Sequence, residues 1–162
     1  MEWTFVSRLL IAGMLGAVIG LDREYRAKEA GFRTHFLVSL GSALFMIISQ
    51  YGFAEIVKAN GANYDGARVA AQIVSGIGFL GAGTIIFHKQ FIRGLTTAAG
   101  LWATAGIGMA VGGGMYFLGI AATILVLIGL EVLTLIFGKI GLSSISITFY
   151  SPRKDNLERV VK

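Results

Sequence analysis

The side chains best suited to chemistry stand at the ends of long apolar stretches. An acid follows the first stretch directly, in Leu21-Asp22-Arg23-Glu24, and Arg33-Thr34-His35 opens the second. Charged and hydroxyl groups at converging helix ends can bind an ion or a partner. The alternative is a basic loop in which carboxylates offset excess positive charge. We call this set the polar belt, and its members are Asp22, Arg23, Glu24, Arg26, Arg33, Thr34, His35, Arg93, Thr96 and Thr97.

One pair within the polar belt has helical spacing. Asp22 and Arg26 are four residues apart, which places an acid and a base on one face of a helix. We therefore predict an ion pair between them if the first helix continues past its apolar stretch.

Other polar residues lie inside or at the ends of apolar stretches. Ionisable residues within a membrane are functional candidates by default, and Glu131 is one. Its alternative role is to pair with a basic residue near the surface. Arg8 is close enough to a helix end to extend its guanidinium to water, which favours a structural role. Arg68, with Gln72 one turn later, is either an interface anchor or a polar contact in an outer vestibule.

Catalytic and metal chemistry find little support in the residue types. The chain has no cysteine, no His-Glu-x-x-His motif and no recognisable Ser-His-Asp arrangement. Mg²⁺ prefers octahedral oxygen ligands, and Asp22, Glu24 and Glu29 are too few to define a cage. The sequence therefore predicts a protein that is not an enzyme, with no catalytic or cofactor-binding residues. Its metal ligands are unassigned, and Mg²⁺ is the candidate ion.

The composition indicates a membrane protein. Of 162 residues, 55% are hydrophobic, 14% are charged and 23 are glycine, with a mean hydropathy of +0.74. Soluble domains average about 25% charged residues and about 7% glycine. Each apolar stretch is long enough to cross a bilayer as a helix. We predict an all-α domain over residues 1–138 with five transmembrane helices, near 5–21, 36–53, 69–87, 95–111 and 115–137.

The distribution of basic residues predicts the orientation. Eleven Lys and Arg residues fall in connections 22–35 and 88–94 and in the tail, against only Lys58 and Arg68 on the opposite side. This bias places the N-terminus outside and the C-terminus in the cytoplasm. The net charge of +5 is thus a topology signal and not a nucleic-acid footprint. In the tail, 139–162, the alternation over 145–150 predicts a strand. A short helix capped by Asp155 or Asn156 follows, and together they form an incomplete α/β segment.

Glycines are spaced for close helix packing. Residues 76–81 match the Gly-x-Gly-x-x-Gly dinucleotide motif literally, but they lie inside an uncharged apolar stretch and not after a strand, so we reject that interpretation. Small residues four apart let helices approach, either within the chain or at a homodimer seam. The packing candidates are Gly16, Gly20, Gly76, Gly78, Gly81, Gly83, Gly108 and Gly112.

Three blocks of sequence resemble the MgtC/SapB family of bacterial inner-membrane proteins. They are residues 20–24 with 30–35, 74–85, and 93–102, and the likeness extends over about 5–138. The resemblance implies a multi-pass protein of the prokaryotic plasma membrane with five spans. Longer members carry a cytoplasmic ACT-like domain, of which 145–162 resembles only the first strand and helix.

The resemblance also implies a role in magnesium homeostasis under low magnesium and, in pathogens, in virulence through survival inside host cells. Members have been described as restraining the F-type ATP synthase. Two functions remain open: a regulator of another membrane complex, and a transporter or channel for magnesium or another cation. The expected partners are the lipid bilayer, a second copy in a homodimer and another membrane complex, with no nucleic acid. A cation route would be lined by Asp22, Glu24, Arg33, Thr97 and Glu131.

Overall fold

Each of the five apolar stretches contains a helix in the computed structural model, which describes residues 2–53, 65–88 and 91–137. The helices within these residues are α1 Glu2–Tyr25, α2 Phe32–Tyr51, α3 Gly66–Gly83, α4 Leu95–Gly112 and α5 Tyr116–Phe137. Of these, α1, α2 and α4 are long and apolar enough to cross a membrane, and α5 is apolar over Tyr116–Glu131. They indicate a membrane protein.

Helix α4 occupies the centre of the bundle. Ten of its 18 residues are buried, and it contacts each of the other four helices. It carries no charged residue, and Gly, Ala and Thr make up most of its length. A helix that is apolar all round is suited to a position with neighbours on every side. The rest of the bundle therefore packs around α4.

Glycines allow α1, α2 and α4 to approach closely. A Cβ atom at Gly16 would lie 2.5 Å from the carbonyl oxygen of His35, and one at Gly112 would lie 2.6 Å from that of Ala43. A Cβ at Gly108 would overlap the carbonyl oxygen of Ser39. These distances are shorter than any real contact, so the backbones meet only because these positions lack side chains.

The other packing candidates divide into two groups. A Cβ at Gly20 would lie 2.6 Å from the Cα atom of Phe32, whereas Gly81 is in ordinary contact with Ala98. The remaining three lie on α3, where no described atom lies within 4 Å of the position a Cβ would take. These three are Gly76, Gly78 and Gly83. Gly76 and Gly83 lie on one side of α3 and Gly78 on nearly the opposite side, so these three positions are open but do not form one face.

Polar side chains reinforce the glycine contacts. The buried Ser39 hydroxyl donates to the carbonyl oxygen of Ala12 at 2.6 Å and so connects α2 to α1. Arg8 donates from Nη1 to the carbonyl oxygen of Gly112 at 2.8 Å. This cation satisfies a carbonyl at the C-terminus of α4, where the helix dipole is negative. Arg8 therefore connects α1 to the C-terminus of α4, a contact that the sequence did not predict.

The connection between α3 and α4 differs from the prediction. We expected the third apolar stretch to remain helical to Phe87 and a loop to follow. Instead α3 ends at Gly83, and strands β1 Ile86–His88 and β2 Phe91–Arg93 pair as an antiparallel hairpin. A continuous apolar run has no alternation that would distinguish a strand from a helix end, although isoleucine and phenylalanine favour strands.

Gly94 makes the return from this hairpin to α4 possible. Its φ is +88°, and a Cβ there would overlap the carbonyl oxygen of Thr84. Only glycine adopts this backbone conformation without strain and leaves room for the Thr84 carbonyl group. The predicted strand and helix of 139–162, and with them the ACT-like likeness, lie outside the described residues.

The glycine contacts can be tested by comparing two positions on α4. Gly108→Ala is expected to destabilise the protein by about 1–3 kcal/mol, because the added methyl group must displace the α2 backbone. The matched control is Gly106→Ala, where a Cβ meets no atom within 4 Å. The control should be neutral or stabilising by up to about 1 kcal/mol, since alanine is the better helix former. Unfolding of the purified protein by SDS in mixed micelles measures both. Equal effects at the two positions would contradict the packing.

Candidate functional site

The end of α1 positions the first group of polar side chains. Two backbone bonds close the helix, from the Lys28 N–H to the Arg23 carbonyl and from the Ala27 N–H to the Glu24 carbonyl, each 3.0 Å long. This is the Schellman pattern, in which the residue after the cap is left-handed. Ala27 takes that position with a φ of 52°, although glycine is usual there. The turn directs the following residues back toward α4, and Glu29 lies next to its first turn.

A chain of hydrogen bonds connects α1, this turn and α4. Arg23 donates from Nη2 to the Thr97 hydroxyl at 2.8 Å, and that hydroxyl donates to Glu29 Oε2 at 2.9 Å. Arg23 is 4% exposed and Thr97 is 1% exposed. The hydroxyl thus accepts from a buried cation and donates to a carboxylate. Two members of the polar belt that are 74 positions apart meet here.

The environment of Glu29 favours its charged form. Its own backbone N–H and the Thr97 hydroxyl both hold the pKa of this carboxyl below its usual range, and the charges of Arg23 and Lys28 act in the same direction. A carboxylate that accepts hydrogen bonds is more acidic than one in water. Glu29 therefore remains an anion facing the buried guanidinium through one hydroxyl.

An open cleft of about 520 Å³ borders this hydrogen-bonded chain. Three cations and one carboxylate line it, together with the first residues of α4. The polar belt predicted Arg23, Arg93, Thr96 and Thr97 in one region, and the cleft brings these four together. Its charged and hydroxyl-bearing lining residues are Arg23, Lys28, Glu29, Arg93, Thr96 and Thr97.

Lys28 and Glu29 were not among the predicted site residues. Glu29 and Thr97 are 68 positions apart, so no local spacing relates them. The left-handed Ala27 that directs the turn has no sequence signal, because alanine rarely takes that conformation. A glycine at this position would have suggested the turn.

A second charged cluster joins α1 to α5. Asp22 accepts from Arg26 at 3.0 Å, which is the ion pair that the four-residue spacing predicts. Arg26 also forms an ion pair with Glu131, so the charge inside the fifth apolar stretch meets a basic residue. The bond to Asp22, followed by the charge of Glu131, raises the pKa of Arg26 above its usual range. This cluster holds the end of α5 against the end of α1.

Other members of the polar belt serve the start of α2 or face outward. Glu24 accepts from the Phe32 backbone N–H at 2.8 Å and so caps α2, whose N-cap residue has no side chain. His35 is fully buried, with Nδ1 at 3.1 Å from the Gly31 carbonyl oxygen. Its Nε2 has no hydrogen-bond partner among the described residues. Arg33 and Thr34 are exposed.

The polar residues of α3 lie apart from the polar belt. Arg68 and Gln72 are both exposed, and Gln72 borders an apolar cleft of about 510 Å³ between α2 and α3. Within the described ranges, no group of three or more acidic, histidine or cysteine side chains is placed to hold a metal ion.

The role of the Thr97 hydroxyl can be tested directly. Thr97→Val keeps the side-chain shape but removes the group that connects Arg23 to Glu29, leaving a buried guanidinium N–H without its acceptor. We expect a loss of about 1–3 kcal/mol in the free energy of unfolding. Thr96→Val is the control, since Thr96 is the exposed neighbour on the same turn, and should change stability by less than about 0.5 kcal/mol. A Thr97→Val protein as stable as the control would contradict the arrangement.

Comparison with known proteins relates this fold to a family. The sequence profile of the MgtC family matches residues 9–138. The chain is 51% identical over 128 residues to a protein of Escherichia coli K12 named "Putative magnesium transporter YhiD", covering 79% of this chain and 60% of that protein. It is 45% identical over 123 residues to "Protein MgtC" of Salmonella typhimurium LT2, covering 76% of this chain and 49% of the relative.

The chain thus spans between about half and three fifths of the length of these relatives. No solved structure matches it. The matched region nevertheless includes four helices in full, most of α1, the polar belt and both charged clusters. On this evidence, the chain belongs to the MgtC family.

Proposed function

We propose that this protein acts in magnesium homeostasis and low-magnesium adaptation by regulating another complex in the bacterial inner membrane. The observation that carries the proposal is the open face of α3. Only Ile77 and Gly81 are buried on this helix, while Phe79 is 82% exposed. A membrane helix with small residues on an unoccupied face is suited to close packing against another helix.

The distribution of polar contacts supports this proposal. Arg23 and Thr97 bind each other inside the bundle, and Arg26 is engaged by Asp22 and Glu131. These contacts connect the ends of α1, α4 and α5 to one another. The polar belt then serves to fix the bundle, and the exposed face of α3 around Phe79 remains the surface that a partner would meet.

The family supplies the physiological context of the proposal. One relative is named "Putative magnesium transporter YhiD", and the family resemblance associates members with low magnesium, virulence and restraint of the F-type ATP synthase. The F-type ATP synthase is therefore the first partner to test. The bias in Lys and Arg supports five spans, an outside N-terminus and a cytoplasmic C-terminus. A second copy of the chain, in a homodimer, is the other occupant that the α3 face would accept.

Photo-crosslinking can identify what covers α3. A benzophenone-bearing phenylalanine analogue in place of Phe79 should yield adducts with a subunit of another membrane complex in cells grown at low magnesium. Phe117 on α5, 86% exposed, is the matched control position and should not yield those adducts. Adducts with the chain itself alone would indicate a homodimer and overturn the regulatory proposal, as would identical adducts from both positions.

Cation transport is the second candidate function, and one contact favours it. Arg26 brings the carboxylates of Asp22 and Glu131 to the same helix ends, and Mg²⁺ is often held by one or two carboxylates with retained water. Purified protein in sealed liposomes should then admit Mg²⁺ to an entrapped fluorescent indicator. Asp22→Asn should reduce the flux at least about tenfold, whereas Glu2→Gln at the far end of α1 should leave it unchanged. Flux no greater than in empty liposomes would exclude this function.

A further inference from the structure

The cleft at the start of α4 has the features of an anion site. Helix α4 begins at Leu95, and its first N–H groups precede the first intrahelical bond, from the Ala98 N–H to the Gly94 carbonyl. The N-cap residue is Gly94, so no side chain caps these donors from that position. A helix 18 residues long presents partial positive charge at this end. Backbone donors without an intrahelical partner and a positive dipole favour an anion.

A buried cation provides a second, independent indication. Arg23 lines the same cleft and is 4% exposed. One of its nitrogens binds Thr97, but its Nε has no hydrogen-bond partner among the described residues. A buried, incompletely paired guanidinium is costly unless an anion lies within reach of its charge. Glu29 supplies one negative charge through Thr97.

The charges in the cleft do not balance. Arg23, Lys28 and Arg93 face a single carboxylate, that of Glu29, which leaves two excess positive charges around a cleft of about 520 Å³. Arginine and backbone N–H groups at a helix start are the donors that typically bind phosphate oxygens. The volume also exceeds that of a phosphate group, and exposed apolar side chains of Ile92 and Leu95 form part of the wall.

We propose that this cleft binds a phosphate group, presented either by an anionic phospholipid at the membrane surface or by a soluble phosphate compound. Lys28 and Arg93 are the accessible cations that contact the phosphate group, and the start of α4 supplies backbone donors. Arg23 adds positive charge from its buried position in the cleft wall. The proposal is independent of the magnesium-related function, since it involves neither the α3 face nor the Asp22–Arg26–Glu131 cluster.

Two probes distinguish the two sources of phosphate. Inorganic phosphate is titrated against the full chain in a neutral detergent, with chloride at matched ionic strength, and the thermal midpoint is followed. Separately, the chain is placed in nanodiscs of phosphatidylcholine with 20 mol% phosphatidylglycerol, and retained lipid is measured by native mass spectrometry. Saturable stabilisation by inorganic phosphate indicates a soluble ligand. Selective retention of phosphatidylglycerol without such saturation indicates a lipid headgroup.

Charge-matched variants decide whether binding is at the cleft. Lys28→Gln and Arg93→Gln should each weaken the observed binding about five- to tenfold. The control is Arg33→Gln, which removes the same charge from an exposed residue at the same end of the bundle but outside the cleft lining, and should change binding less than twofold. Glu29→Gln should tighten binding, because it removes the opposing charge while keeping an acceptor for Thr97.

Several results would overturn the proposal. The proposal is wrong if neither probe binds the unmodified chain. It is also wrong if Lys28→Gln, Arg93→Gln and Arg33→Gln weaken binding equally, because that result would indicate general surface electrostatics. Weaker binding in Glu29→Gln would also contradict the proposed site, because it would show that the carboxylate favours phosphate binding instead of opposing it. Because Lys28, Arg33 and Arg93 are exposed, their substitution is expected to leave folding intact, as circular dichroism would verify.

Discussion

The burial of Arg23 is the constraint on which the polar end of this bundle depends. Removing a guanidinium from water costs several kcal/mol unless hydrogen bonds and opposite charge compensate for it. Thr97 accepts a hydrogen bond from the guanidinium, and Glu29 supplies the opposite charge on the far side of the Thr97 hydroxyl. These bonds require donor and acceptor atoms about 3 Å apart. The end of α1, the turn after it and the start of α4 must therefore lie close together, and the position of each depends on the others.

Backbone geometry meets this requirement at two points. On the α1 side, Ala27 adopts a left-handed conformation, and the resulting turn places Glu29 beside α4. On the α4 side, Gly94 allows the hairpin to pass against the carbonyl of Thr84 and the helix to start where Thr97 reaches Arg23. Farther along α4, Gly108 and Gly112 bring the same helix against α2. The polar contacts at one end and the glycine contacts along the length therefore specify one position for α4.

The sequence predicts the interactions that are local. Five apolar stretches predict five helices because span length is imposed by the bilayer, and Asp22 pairs with Arg26 because residues four apart share a helix face. The four-residue spacing of Gly108 and Gly112 predicts close packing, and both meet the α2 backbone, but the same residue type at Gly76, Gly78 and Gly83 has no such contact. No local spacing relates Glu29 to Thr97, because that contact depends on the turn at Ala27 and on the position of α4. The hairpin was not predicted because β1 continues the apolar run of α3 and because strands of three residues are too short to show alternation.

Chain connectivity relates the open face of α3 to the cleft. The residues that follow α3 form the hairpin, and the last residue of that hairpin, Arg93, lines the cleft. Any ligand held by Arg93 is therefore attached to the segment that fixes the end of α3, whereas Arg23 and Glu29 hold it to α1 and the turn. A ligand shifts an equilibrium between two conformations only by the difference in its affinity for them. A ligand in the cleft therefore stabilises one position of α3 relative to α1 only if it contacts both Arg93 and the residues at the end of α1. The cleft has lining residues from both sides, and Gly94 between Arg93 and α4 is the backbone position through which they are joined. A ligand that contacts both sides would therefore connect the turn after α1 to the hairpin and to the start of α4.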